Sequence, residues 1–249
     1  MDVREFQPFG VSHWLAILAT LAAGAILLHW FRRNDVPPRR KLRIRKTLGV
    51  ILVVAVAMDP LLNGLRHHDQ PATAWNLIVQ NSLPLHLCDV VSLVLAGALF
   101  TGSQRLAEVG YFWSLAATTQ GLLTPALHYD WHSPEFYAFF AQHGGAPVAG
   151  VLLAFGVGLP PQAGYFKRMV GWSWAYLAAV FLLNLLLGTN YGFLNAKPHV
   201  PSLIDHLGPW PWYLIPLQLI GFACYLLLGA FARFLVRWFP LPPPASPQA

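Results

Sequence analysis

The chain has 249 residues, of which 56% are hydrophobic and only 10% charged, against about 25% charged in an ordinary soluble domain. That balance, with a mean hydropathy of +0.49, excludes a soluble enzyme and a disordered protein. The formal charge of +6 and pI of 9.6 do not call for nucleic acid, because the basic residues gather where a membrane protein faces the cytoplasm.

In chain order, seven stretches have a length suited to crossing roughly 30 Å of hydrocarbon as helices. They cover residues 11–31, 48–65, 77–100, 106–127, 136–158, 169–188 and 212–236. The chain therefore reads as an all-α, polytopic membrane protein with one seven-helix domain over residues 1–240. Residues 241–249 read as a disordered Pro-rich tail. Asp2 and Glu5 near the start do not fit the positively charged lead of a signal peptide. The loop after the first span holds Arg32, Arg33, Arg39, Arg40, Lys41, Arg43, Arg45 and Lys46. Arg105, Lys167, Arg168, Arg233 and Arg237 fall on the same side, so thirteen of the 16 basic residues lie together. The positive-inside rule then places the N-terminus outside and the C-terminus in the cytoplasm.

On that topology most of the ten histidines lie in outer loops, His199 among them. His86 and His143 instead lie within spans, where an ionisable group is costly and is a functional candidate by default. The third span contains Gln80, Asn81, Pro84, His86, Cys88 and Asp89. Pro84 removes a backbone donor and predicts a kink or an unwound turn. On a regular helix His86 and Asp89 share a face. Cys88 points away from His86, so its base would have to come from another span. The fifth span supplies His143. Residue counting puts Cys88 and His143 roughly 17 and 11 Å below the outer surface, so the two can meet if their helices are neighbours. A cysteine with a histidine base forms a nucleophile that can take an acyl group as a thioester. Cys224, among apolar neighbours, reads as packing.

Other polar groups form weaker patterns. His128 and His132 are four apart, but they sit in a loop-like segment without a metalloprotease motif, and no metal is expected. Gln120, Thr118, Thr119 and Thr124 in the fourth span, and Asn184 in the sixth, could line a cavity or join helices. The seventh span has no lysine to bind retinal. Two cysteines exclude a disulfide scaffold.

The segments Leu83-Pro-Leu-His-Leu-Cys-Asp89, Thr124-Pro125, His143, Asn190-Tyr-Gly, Lys197-Pro198 and Leu207-Gly-Pro-Trp-Pro-Trp-Tyr213 resemble those of the bacterial YwaF-type integral membrane proteins. Distant animal relatives in the transmembrane-protein-164 family are similar to phospholipid acyltransferases with an intramembrane cysteine. Still more distant membrane hydrolases use a Thr and a His on neighbouring helices. The resemblance implies a bacterial inner-membrane protein with Cys88 as nucleophile and His143 as base.

Two functions follow. The first is an acyltransferase or hydrolase acting on membrane lipid without a cofactor, with His86, Asp89, Gln80, Asn81 and Gln120 supporting the site. The second is a transporter of an ion or small solute through a polar site in the outer half of the bundle. A non-catalytic membrane scaffold is a third.

Overall fold

The computed structural model describes residues 5–198, 202–239 and 241. The expected tail lies outside these residues except for Leu241, as does His199. Among the described residues the protein is built from helices, with a single isolated backbone bridge between Glu5 and Tyr129.

Helix α1 (Val11–Arg32) is an apolar run that ends where Arg32, Arg33 and Asp35 arrive. Pro37 caps the start of α2 (Pro38–Arg66), with Pro38 at the first helical position, where a missing N–H costs nothing. This helix starts ten residues before the apolar stretch of the expected second span. Its basic first turns are good helix formers that hydropathy alone does not count. Helix α3 (Pro71–Leu77) runs into a π-helical turn, Ile78–Ser82, and then breaks. Helix α4 (Leu87–Thr101) starts afresh at an angle of 78°. Pro84 lies in this break, as its missing donor predicts.

Helix α5 (Gln104–Trp113), a π turn (Ser114–Thr118) and α6 (Thr119–Leu123) follow as one continuous rod. After a loop come α7 (Pro134–Val151), extended by a π turn over Leu152–Gly156, α8 (Tyr165–Leu187) and α9 (Leu214–Trp238).

Five helices are long and apolar enough to cross a membrane, or six if the bent α3–α4 pair is one span. The rod over residues 104–123 is not among them, so five or six helices, rather than the expected seven, meet this criterion. The reason is its position: every residue from Ala107 to Ser114 is buried. A helix enclosed by other helices needs no lipid-soluble exterior and can keep Glu108, at 4% exposure. Glu108 accepts from Arg168 Nε at 2.7 Å and Nη2 at 2.8 Å, and from the backbone N–H of Gln162 at 2.8 Å.

The α7 segment is the central post. Of its most apolar window 67% is buried, against 11–17% for α1, α2, α8 and α9. Helices α1, α2, α4 and α5 pack around it. Gly144 of α7 lets α1 come close: a β-carbon there would stand 2.4 Å from Thr20 Oγ1 of α1. Leu52, Val91, Leu95, Leu99, Phe112 and Leu153 fill the centre.

Candidate functional site

The break in the third span resets the local geometry. His86 is the extended residue just before α4, with φ −64° and ψ 149°. Cys88 is therefore the second residue of a new helix, not the eleventh of a continuous one. Backbone N–H groups of Cys88 and Asp89 lie within reach of its sulfur. The thiol itself points to the Asp89 carboxyl group, with Sγ 4.0 Å from Oδ1.

The expected face shared by His86 and Asp89 is not formed, because His86 is outside the helix. His86 turns toward the loop after α8. Its ring meets Tyr191 edge-on at 4.9 Å, and Nδ1 accepts the N–H of Gly192 at 3.3 Å. Asp89 turns toward α7 and accepts from Gln142 Nε2 at 2.6 Å. Asp59 of α2 is within electrostatic reach of both His86 and Asp89.

His143 follows Gln142 on α7 and is buried. Its ring stacks on Phe139, with centroids 4.0 Å apart, and Nδ1 lies 3.0 Å from the Phe139 carbonyl oxygen. A carbonyl only accepts, so Nδ1 carries the proton. The neutral ring then presents a bare lone pair on Nε2, the form a general base needs. That edge of the ring lies against Gly121 of α6. Three residues earlier on the same rod, Thr118 holds a buried hydroxyl without a hydrogen-bond partner among the described residues.

An unwound turn inside hydrocarbon must have its backbone groups satisfied by protein, and two tyrosines do this here. The Tyr191 hydroxyl accepts the Leu83 N–H at 2.9 Å and donates to the Val79 carbonyl at 2.8 Å. Tyr176 of α8 donates to the Leu85 carbonyl at 2.9 Å. Tyr191 is itself fixed by Asn184, whose Oδ1 accepts the Tyr191 N–H and whose Nδ2 donates to its carbonyl. Asn63 of α2 donates to Ser82 Oγ at 2.8 Å. The loop after α8 is thus a plug fitted to the break.

A sequence model of the TMEM164 family matches residues 8–229. The chain belongs to the TMEM164 family. No curated protein and no solved structure matches it. The TMEM164 match encloses the broken span, His143 and the Tyr191 plug, and the protein is a multi-pass membrane protein.

The remaining expected site residues of this TMEM164 member are more scattered. Gln80 is half-buried on the π turn, and Asn81 is exposed and donates to Leu77 of its own helix. Gln120 is exposed next to Gly121. Cys224 is half-buried on α9. His132 lies against Trp131, with ring centroids 3.7 Å apart. Among the described residues, no three His, Cys, Asp or Glu side chains are placed to hold a metal ion.

Gln142, Tyr176 and the part played by Tyr191 are absent from the sequence reading. Gln142 could have been found beside His143, as a second polar residue in an otherwise apolar span. Tyr191 sits in the Asn190-Tyr-Gly segment that carries part of the family resemblance. Tyr176 gives no signal, being one aromatic among many in α8.

Proposed function

We propose that this protein transfers acyl groups between membrane lipids through a thioester on Cys88. His143 Nε2 takes the thiol proton. The sulfur attacks the ester carbonyl of a bound lipid, forming a tetrahedral intermediate. The C–O bond then breaks, and His143 returns the proton to the departing lipid hydroxyl. In the second half, a lipid hydroxyl or water gives its proton to His143 and attacks the thioester. The new ester or free acid leaves, and the proton restores the thiol. Nothing is oxidised or reduced, and the cycle calls for no cofactor.

The observation that carries this reading is the hydrogen bond between Asp89 and Gln142. It joins the immediate neighbours of Cys88 and His143 across two packed helices. The neutral ring of His143, with its lone pair on Nε2, supports the role of base, and the place of Cys88 at the head of α4, a helix packed on α7, supports that of nucleophile. Asp89 and Gln142 set the distance between the helices. His86, with Nδ1 occupied as an acceptor, keeps its proton on Nε2 and can donate to the carbonyl oxygen as it becomes negative.

Further parts of the proposal rest on sequence alone. They are a bacterial inner-membrane location in the YwaF branch, seven spans with the N-terminus outside, and entry of lipid from the outer leaflet. Transport remains the competing function. It draws on the broken span, since broken helices often offer free backbone groups to a solute. Here Leu83 N–H and the Val79 and Leu85 carbonyls are already taken by tyrosines, which favours lipid chemistry.

The test is direct. After incubation with phospholipid, mass spectrometry of the wild-type protein should find an acyl thioester on Cys88 that hydroxylamine removes. Absence of acyl-Cys88 under turnover, or solute flux in liposomes unaffected by Cys88→Ala, would sink the proposal.

A further inference from the structure

The cluster of basic residues between α1 and α2 is not uniform, and its parts do different work. Arg32 reaches the Phe155 carbonyl, and Arg33 pairs with Asp35. Lys41 donates to the Phe31 and Arg33 carbonyls at 2.7 Å, and Arg40 lies over the Trp30 ring at 5.3 Å. These four hold the turn between the helices. Arg39, Arg43 and Lys46 differ. All three are exposed, and none forms an ion pair or hydrogen bond with a described residue.

Their spacing of four and three places Arg39, Arg43 and Lys46 along one face of α2. They line a shallow surface groove together with Leu42, Thr47 and Val50. The groove is basic at one end and becomes apolar toward Val50. Depth matches this gradient. Lys46 and Arg66 are twenty residues apart, roughly 30 Å along a helix, which is about the thickness of the hydrocarbon core. With Arg66 at one boundary, Lys46 marks the other. Arg43 and Arg39 then stand in the headgroup layer, and Val50 stands below among acyl chains.

We infer that this face of α2 is a binding site for a phospholipid with an anionic headgroup. The three cations surround the phosphate and the headgroup, and Val50 takes the upper acyl chain. A soluble anion would gain from the cations but not from the apolar end. The site is on the outside of α2 and does not depend on the chemistry proposed for Cys88.

The experiment uses the full chain in phosphatidylcholine vesicles containing a small fraction of spin-labelled phosphatidylglycerol, with spin-labelled phosphatidylcholine as reference. The wild type should immobilise phosphatidylglycerol in preference to phosphatidylcholine. Each cation near a membrane surface contributes about fivefold to anionic-lipid affinity. The triple variant Arg39→Gln, Arg43→Gln, Lys46→Gln should therefore lose at least tenfold of the preference, and Arg43→Gln alone a smaller part. Since these side chains hold no other group among the described residues, the single variant remains informative if the triple variant folds poorly. A second triple variant, Arg105→Gln, Lys167→Gln, Arg237→Gln, removes the same charge from three separate helices and should keep the preference. An unchanged preference in the first variant overturns the inference, as does an equal loss in the second. Displacement of the labelled lipid by inorganic phosphate at constant ionic strength would also overturn it, by showing a site for soluble anions.

Discussion

Gly121 and His143 touch across the α6–α7 interface so closely that a β-carbon on residue 121 would stand 2.2 Å from Cδ2 and 2.8 Å from Nε2 of the imidazole. The glycine is what gives the ring room to lie flat on Phe139. Gly121→Ala should push the ring off this seat. Overpacking of this kind costs about 1–3 kcal/mol. Lipid acyl transfer should fall at least tenfold although neither Cys88 nor His143 is altered. Turnover and thermal unfolding in detergent, measured side by side, check this. Wild-type turnover in Gly121→Ala would remove His143 from the mechanism.

The two cysteines separate chemistry from packing. Cys88→Ser keeps the size of the side chain but replaces a thiol by a group much harder to ionise. Acyl transfer should drop by two orders of magnitude or more, with the unfolding temperature close to wild type. Cys224→Ser should retain most activity. Equal turnover in both variants contradicts the assignment of Cys88.

Asp89 and Gln142 form a cross-helix pair, so their effects should not add. Gln142→Ala takes the amide donor from the Asp89 carboxyl group, at a cost of about 1–3 kcal/mol. Adding Asp89→Ala should cost little more, since the orphaned group is gone. A double-mutant cycle on thermal stability measures the coupling. Strict additivity would mean that the hydrogen bond carries no weight.

Tyr191→Phe removes one oxygen and leaves two backbone groups of the broken span unpaired. Each orphan costs about 1–3 kcal/mol, so destabilisation should exceed that of Tyr176→Phe, which frees one carbonyl. Unfolding in detergent orders the two. A neutral Tyr191→Phe would show that the break finds partners elsewhere.

The positive-inside count makes a topological prediction that stands apart from the chemistry. A reporter fused after Ala249 should be active in the cytoplasm. Activity only on the far side would invert the topology.

The residues differ in how much the sequence alone could tell. The long apolar helices are legible because hydropathy over about twenty residues has few other causes, and Pro84 announces its break. The rod containing Glu108 is less legible, since its polar groups are tolerated through enclosure by neighbours, which no local pattern records. The His86–Asp89 pairing fails for a related reason. Helical spacing applies only where the helix is continuous, and Pro84 ends that continuity just before His86. Partners such as Gln142 and Tyr176 come from distant segments and become visible only when the helices are placed together.

The Tyr191 plug also bears on how the protein is made. The Val79 carbonyl and the tyrosine that satisfies it are 112 residues apart. At about 5–20 residues per second, the broken span waits roughly 6–20 s for its partner to leave the ribosome. Until then its backbone cannot be left bare in hydrocarbon, so water or the insertion machinery must hold it. The third span is therefore completed by the second half of the chain. A nascent chain stopped before residue 191 should carry this segment unsettled in the membrane, exposed to quality-control proteases that the finished protein resists.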